Sequence, residues 1–145
     1  MKYLLCTFMV LFAVTQTQAQ IFDPVDWEFE SKTLENGSYE LTFTASLEDG
    51  WYIYSQNIED GGPIPTSFEF DDHTADGEII ENGEMIDKFD KMFEMQVRKF
   101  ANEVSFVATV KANPGETVSG YLTFMSCDDQ RCLPPEDIDF EFELK

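Results

Sequence analysis

Two cysteines near the C-terminal end are the residues best placed for covalent chemistry. In Cys127-Asp128-Asp129-Gln130-Arg131-Cys132 four residues separate the thiols, and Leu133-Pro134-Pro135 follows. Close thiols can exchange a disulfide with a partner, because a neighbouring thiolate can resolve the mixed disulfide that forms first. The rest of the chemical inventory is short. One histidine, His73, leaves nothing for a histidine-based triad, and beside Asp71 and Asp72 it reads as a solvated loop residue. The acidic stretch Asn57–Gly62 lacks the alternating ligand spacing of a calcium loop, and no glycine-rich phosphate loop occurs. Neither a metal nor a cofactor is expected.

Whether the thiols pair depends on the compartment, and the first residues speak to that. Met1 and Lys2 precede an apolar run from Tyr3 to Val14, and Thr17-Gln18-Ala19 offers small residues where a signal peptidase cuts. The run is shorter than the roughly 20 residues needed to span a bilayer. The reading is a secretory leader over residues 1–19, which takes Cys6 with it and leaves no membrane insertion after cleavage. The mature domain is residues 20–145. Two cysteines in an exported chain are expected to pair.

The pair could be a structural clip or a redox couple. A ring of about six residues gives only roughly 2 kcal/mol by the chain-entropy estimate. A chain of this length can bury a sufficient core without that help. The pair also falls at a strand-to-strand turn, within reach of a partner. On these grounds alone the two roles weigh equally.

The elements that must position the pair are strands. Leu41, Phe43, Ala45 and Leu47 alternate with Glu40, Thr42, Thr44 and Ser46, and Val104, Phe106, Ala108 and Val110 share one side of their run. Ile138, Phe140, Phe142 and Leu144 alternate with charged residues at the C-terminus. Period two means one wet and one buried face. Shorter candidates are Trp27–Lys32, Trp51–Ser55, Thr66–Phe70, Glu78–Glu81, Gln96–Phe100 and Thr117–Ser126. Asn36-Gly37, Asp49-Gly50, Asp76-Gly77, Asn82-Gly83 and Asn113-Pro114-Gly115 supply the turns between them. The prediction is an all-β antiparallel sandwich with Phe43, Phe106, Phe140 and Phe142 inside it. Glu84–Met95 is the one segment with room for a helical turn.

Composition narrows the partners. Nine basic residues face 29 acidic ones, a formal charge of −20, and losing the leader removes Lys2 and no acid, which leaves −21. Such a surface repels nucleic acid and anionic lipid. An apolar share of 43% with 14 phenylalanines excludes a disordered chain.

The segment Tyr121–Cys127 through Cys132-Leu133-Pro134-Pro135-Glu136 resembles the active-site hairpin of the N-terminal periplasmic domain of the disulfide reductase DsbD. Asp49-Gly50-Trp51-Tyr52-Ile53-Tyr54-Ser55 is similar to a second family stretch, with Tyr52 and Tyr54 in matching places. Gly61-Gly62-Pro63-Ile64-Pro65-Thr66 resembles stand-alone homologues. One fewer residue separates the cysteines here than in the best-known members. The resemblance implies an immunoglobulin-like sandwich and a protein-disulfide reductase type of redox carrier. Such a carrier takes electrons from a membrane partner and passes them to thioredoxin-like periplasmic proteins. It further implies that Cys132 forms the mixed disulfide, that Cys127 resolves it, and that a cap loop shields the bond with an aromatic ring. Lys91–Met95 is the nearest match to that loop, with Phe93 as the ring; the competing reading makes Phe93 ordinary core.

Asp128 and Asp129 sit within the ring, where negative charge disfavours a thiolate and Arg131 offsets this in part. The sequence carries no membrane helix and no thioredoxin-like Cys-x-x-Cys after the pair, so the expectation is a free-standing carrier with a separate membrane electron-transfer protein. The alternative is an exported immunoglobulin-like binding module whose hairpin disulfide is structural.

Overall fold

The structure, a computed structural model, describes residues 22–145; the expected leader over residues 1–19, with Cys6, lies outside the described residues. β1 (Val25–Thr33) and β2 (Ser38–Leu47) form a hairpin over Asn36-Gly37, where Gly37 takes a φ of 78° that a side chain would resist. β6 (Met95–Lys111) is the long central strand. Its C-terminal half pairs with β2 and its N-terminal end with β3 (Tyr52–Tyr54), while β5 (Ile80–Asp90) runs along the other edge. β8 (Ser126–Cys127) completes this six-stranded sheet by pairing with β3. β4 (Ser67–Phe70), β7 (Thr117–Phe124) and β9 (Glu136–Glu143) form a second, three-stranded sheet, and every strand pairing is antiparallel.

The sheets close on an aromatic core. Phe43 from the large sheet meets Phe68, Phe140 and Phe142 of the small one at centroid distances of 4.7, 4.9 and 5.3 Å. Tilted and edge-on contacts of this kind suit the ring quadrupole and add to plain area burial. The four phenylalanines expected inside are all buried. Close backbone approach completes the small sheet: a Cβ on Gly120 would collide with the carbonyl oxygen of Glu69 and the ring of Phe140.

Four local expectations are corrected, the first being Asn82-Gly83, which lies within β5 rather than at a turn. Glu84–Met95 holds no helical turn: it is the end of β5, a turn over Lys91–Glu94 with Glu94 at φ 55°, and the start of β6. Met85, Ile86 and Phe89 mimic helical spacing, but β6 supplies the backbone partners and the pairing decides. Gln96–Phe100 and Val104–Lys111 are one strand rather than two, joined through an irregularity at Ala101-Asn102-Glu103 where Asn102 takes φ 63°. Extra residues of this kind bend a strand without ending it. His73 is not solvated. Only 15% of its side chain is exposed, and Nε2 lies 3.6 Å from Glu116.

Candidate functional site

The disulfide owes its place to a change of sheet. β7 belongs to the small sheet, but after Met125 the chain crosses to the large one as β8 and pairs Tyr52 with Cys127 and Ile53 with Ser126. It then turns back. Asp128 N donates to Arg131 O at 2.9 Å, and Leu133 N donates to Ser126 O at 2.9 Å. Cys127 and Cys132 therefore face each other as a non-hydrogen-bonded pair, the position where antiparallel side chains come closest. Their Cα atoms are 4.0 Å apart and the sulfurs are bonded.

Asp128 builds the turn. Its Oδ1 accepts from the backbone N–H of Gln130 at 2.8 Å and of Arg131 at 2.7 Å. Those backbone donors, the Gln130 N–H first, hold its carboxyl below the usual carboxylate range, and the Arg131 charge helps. Oδ2 lies 3.4 Å from Arg131 Nε, and the Arg131 guanidinium also stacks 4.7 Å from the Phe22 ring centroid. Asp129 is exposed at the tip of the hairpin, and Pro134 and Pro135 are exposed in the irregular segment that leads from it to β9.

Alternation along β3 separates two environments. Ile53 points into the main core, so Tyr52 and Tyr54 lie on the outer face of the large sheet, the same face as Cys127. A second apolar cluster forms there from Tyr54, Val97, Met125 and Cys127, with Ile58, Phe93, Met95 and Cys132 packed against it. The disulfide is thus part of a small satellite core, apart from the phenylalanine core between the sheets. Burial pushes the Tyr54 phenol far above its ordinary value, and the negative charge of Asp90 adds to the rise.

The turn between β5 and β6 lies over this cluster. The Phe93 ring sits edge-on to Tyr54 at 6.0 Å and is half-buried. Met92 Sδ reaches 3.4 Å from Cys132 Sγ. The hairpin is held down at several points. Lys99 Nζ sits 4.0 Å over the Tyr52 ring and 3.2 Å from Asp90 Oδ2. Glu81 accepts from Ser55 Oγ at 2.9 and 3.1 Å and from the Gln56 backbone N–H at 2.7 Å, tying β5 to the end of β3. The Gly61-Gly62 loop backs onto the same hairpin: a Cβ on Gly62 would stand 2.9 Å from Met95 Sδ. Met92 falls inside the Lys91–Met95 stretch matched to the cap loop but was not singled out there, and no sequence signal marked Lys99 or Glu81, whose partners are brought to them only by the fold.

The two sulfurs are unequal. Cys127 is 2% exposed, whereas Cys132 is only half-buried and opens toward the turn carrying Met92. Beside them lies a groove of about 550 Å³, lined by Tyr52, Lys88, Phe89, Lys91, Met92 and Asp129 among others.

Residues 18–144 match the family described as thiol:disulfide interchange protein DsbD, N-terminal. No curated protein matches the chain. Among solved structures it is similar to the DsbD N-terminal domain of Neisseria meningitidis in the reduced form. That match has 19% identity and a TM-score of 0.59, and covers 81% of this chain and 84% of that one. It is also similar to the N-terminal periplasmic domain of ScsB from Proteus mirabilis, at 16% identity and a TM-score of 0.66 over 88% of this chain and 49% of that one. At such identities these structures bear on the fold, which is the expected immunoglobulin-like sandwich.

Proposed function

The chain belongs to the family of the DsbD N-terminal domain, a family of thiol–disulfide exchange, and from that premise we propose that it is a periplasmic electron carrier working through Cys127 and Cys132. In the reduced state the Cys132 thiolate attacks a disulfide of an oxidised thioredoxin-like acceptor and displaces one of its thiols. Cys127 then attacks Cys132 Sγ, releases the second acceptor thiol and restores the Cys127–Cys132 bond. Two electrons and two protons end on the acceptor. Recharging runs the same exchange in reverse, with a thiolate of a membrane electron-transfer partner attacking Cys132.

The observation that carries this reading is the asymmetry of the pair. A partner can approach the half-exposed Cys132, whereas Cys127 at 2% exposure is placed to resolve from within. Phe93 serves as the ring of the cap, with Tyr52 and Tyr54 as the floor beneath it. Asp128 and Asp129 within the ring favour neutral thiols over thiolate, with Arg131 offsetting this in part, so electrons are held until a docked partner changes the surroundings.

The test is trapping. Cys127→Ser is expected to accumulate a mixed disulfide between Cys132 and an oxidised thioredoxin-like substrate, visible on a non-reducing gel. Cys132→Ser is expected to form none. Trapping by Cys132→Ser alone would reverse the two roles. Trapping by neither variant would leave the bond as a structural clip in a binding module.

A further inference from the structure

Basic residues are scarce in this chain and unevenly placed. The described residues contain eight, and five of them, Lys88, Lys91, Arg98, Lys99 and Arg131, lie on the β5–β6 hairpin or in the disulfide ring. Three are already matched by acids: Arg98 by Asp87 at 3.5 Å, Lys99 by Asp90 at 3.2 Å and Arg131 by Asp128 at 3.4 Å. Lys88 and Lys91 form no ion pair among the described residues, and both are exposed. They line the groove beside the disulfide, where Asp129 is the one carboxylate without an ion pair. Free lysines therefore outnumber free acids at this spot, in a chain whose formal charge is −20.

Apolar surface gathers at the same place. Phe89 is 62% exposed and Met92 47%, and both line the groove. Exposed aromatic and methionine side chains ringed by charge are the composition of a protein-binding patch rather than of an idle surface. Elsewhere the acidic coat opposes an acidic partner; here it is interrupted.

We infer that this groove is the docking surface for a protein whose reactive cysteine is bordered by carboxylates, with Phe89 and Met92 making the apolar contact and Lys88 and Lys91 pairing with the acids. The inference rests on the exchange function proposed above and adds to it the chemistry of the partner. Charge complementarity of this kind acts mainly on the rate of encounter and on the choice of partner.

The experiment uses the reduced protein and two cysteine peptides activated as mixed disulfides with thionitrobenzoate, one flanked by aspartates and the other by lysines. Cys132 attacks the peptide sulfur and releases coloured thionitrobenzoate. Cys127 then displaces the peptide thiol and re-forms the intramolecular bond. Lys88→Glu/Lys91→Glu is expected to slow the aspartate peptide about tenfold at low salt and to speed the lysine peptide. Lys32→Glu/Lys145→Glu changes net charge equally but on β1 and at the C-terminus, outside the groove lining, and is expected to shift either rate by less than about twofold. Equal effects of the two reversals would overturn the docking surface. If neither peptide reoxidises the pair at all, the exchange reading itself falls.

Discussion

Met92 Sδ stands 3.4 Å from Cys132 Sγ, so the accessible sulfur of the pair is covered by a thioether from a hairpin forty residues earlier in the chain. A thioether brings contact without charge. Once the bond is reduced, it can accept the Cys132 S–H, which favours the neutral thiol over the thiolate. Phe93 closes the same cluster from beside it.

Removing either side chain should therefore uncover the thiol. Met92→Ala and Phe93→Ala are each expected to speed oxidation of the reduced pair by hydroxyethyl disulfide several-fold. The cost to stability should be about 1 kcal/mol for these partly exposed side chains, against the roughly 3–5 kcal/mol of a phenylalanine removed from a core. Stopped-flow oxidation and urea unfolding on the same samples measure both quantities. A large fall in the urea midpoint with unchanged thiol reactivity would make Phe93 a core residue after all.

Reduction should leave the fold standing. The bond closes a ring worth only about 2 kcal/mol, and it lies in the satellite cluster on the outer face, away from the phenylalanine core between the sheets. Equilibration against thioredoxin and glutathione buffers is expected to give a potential in the exchange range, roughly −270 to −120 mV. Circular dichroism of the reduced form should keep its sheet signal. A potential well below about −300 mV, or unfolding on reduction, would mark a structural bond.

Alkaline pH should act through Tyr54. Its phenol is raised in the folded state by burial and by Asp90, so between about pH 10, where the unfolded side chain ionises, and the higher folded value the native state binds the proton more tightly. Stability linked to this proton is complete below pH 10 and is lost as pH rises through the folded value. Unfolding midpoints measured from pH 8 to 11 should fall more steeply for the natural protein than for Tyr54→Phe. Identical slopes would show that the hydroxyl stays accessible to solvent in the fold.

Much of this protein was determined by its sequence, because period-two alternation records which face of a strand meets water. Phe43, Phe106, Phe140 and Phe142 had to share a core, and a sandwich of antiparallel strands was the economical way to form one. The cysteine spacing likewise marked the chemical centre, since residues so close in sequence meet across a single turn. Tertiary structure decided what surrounds that centre. The alternation Tyr52-Ile53-Tyr54 is legible, but which face is the core and which carries the disulfide depends on β8 joining the large sheet after Met125. Glu84–Met95 was locally ambiguous because Met85, Ile86 and Phe89 suit a helix as well as a strand, and pairing with β6 settled it. Met92 over Cys132, Lys99 over Tyr52 and Glu81 beneath Ser55 join residues far apart in the chain. No local pattern encodes such contacts, because they exist only once the strands have found their register.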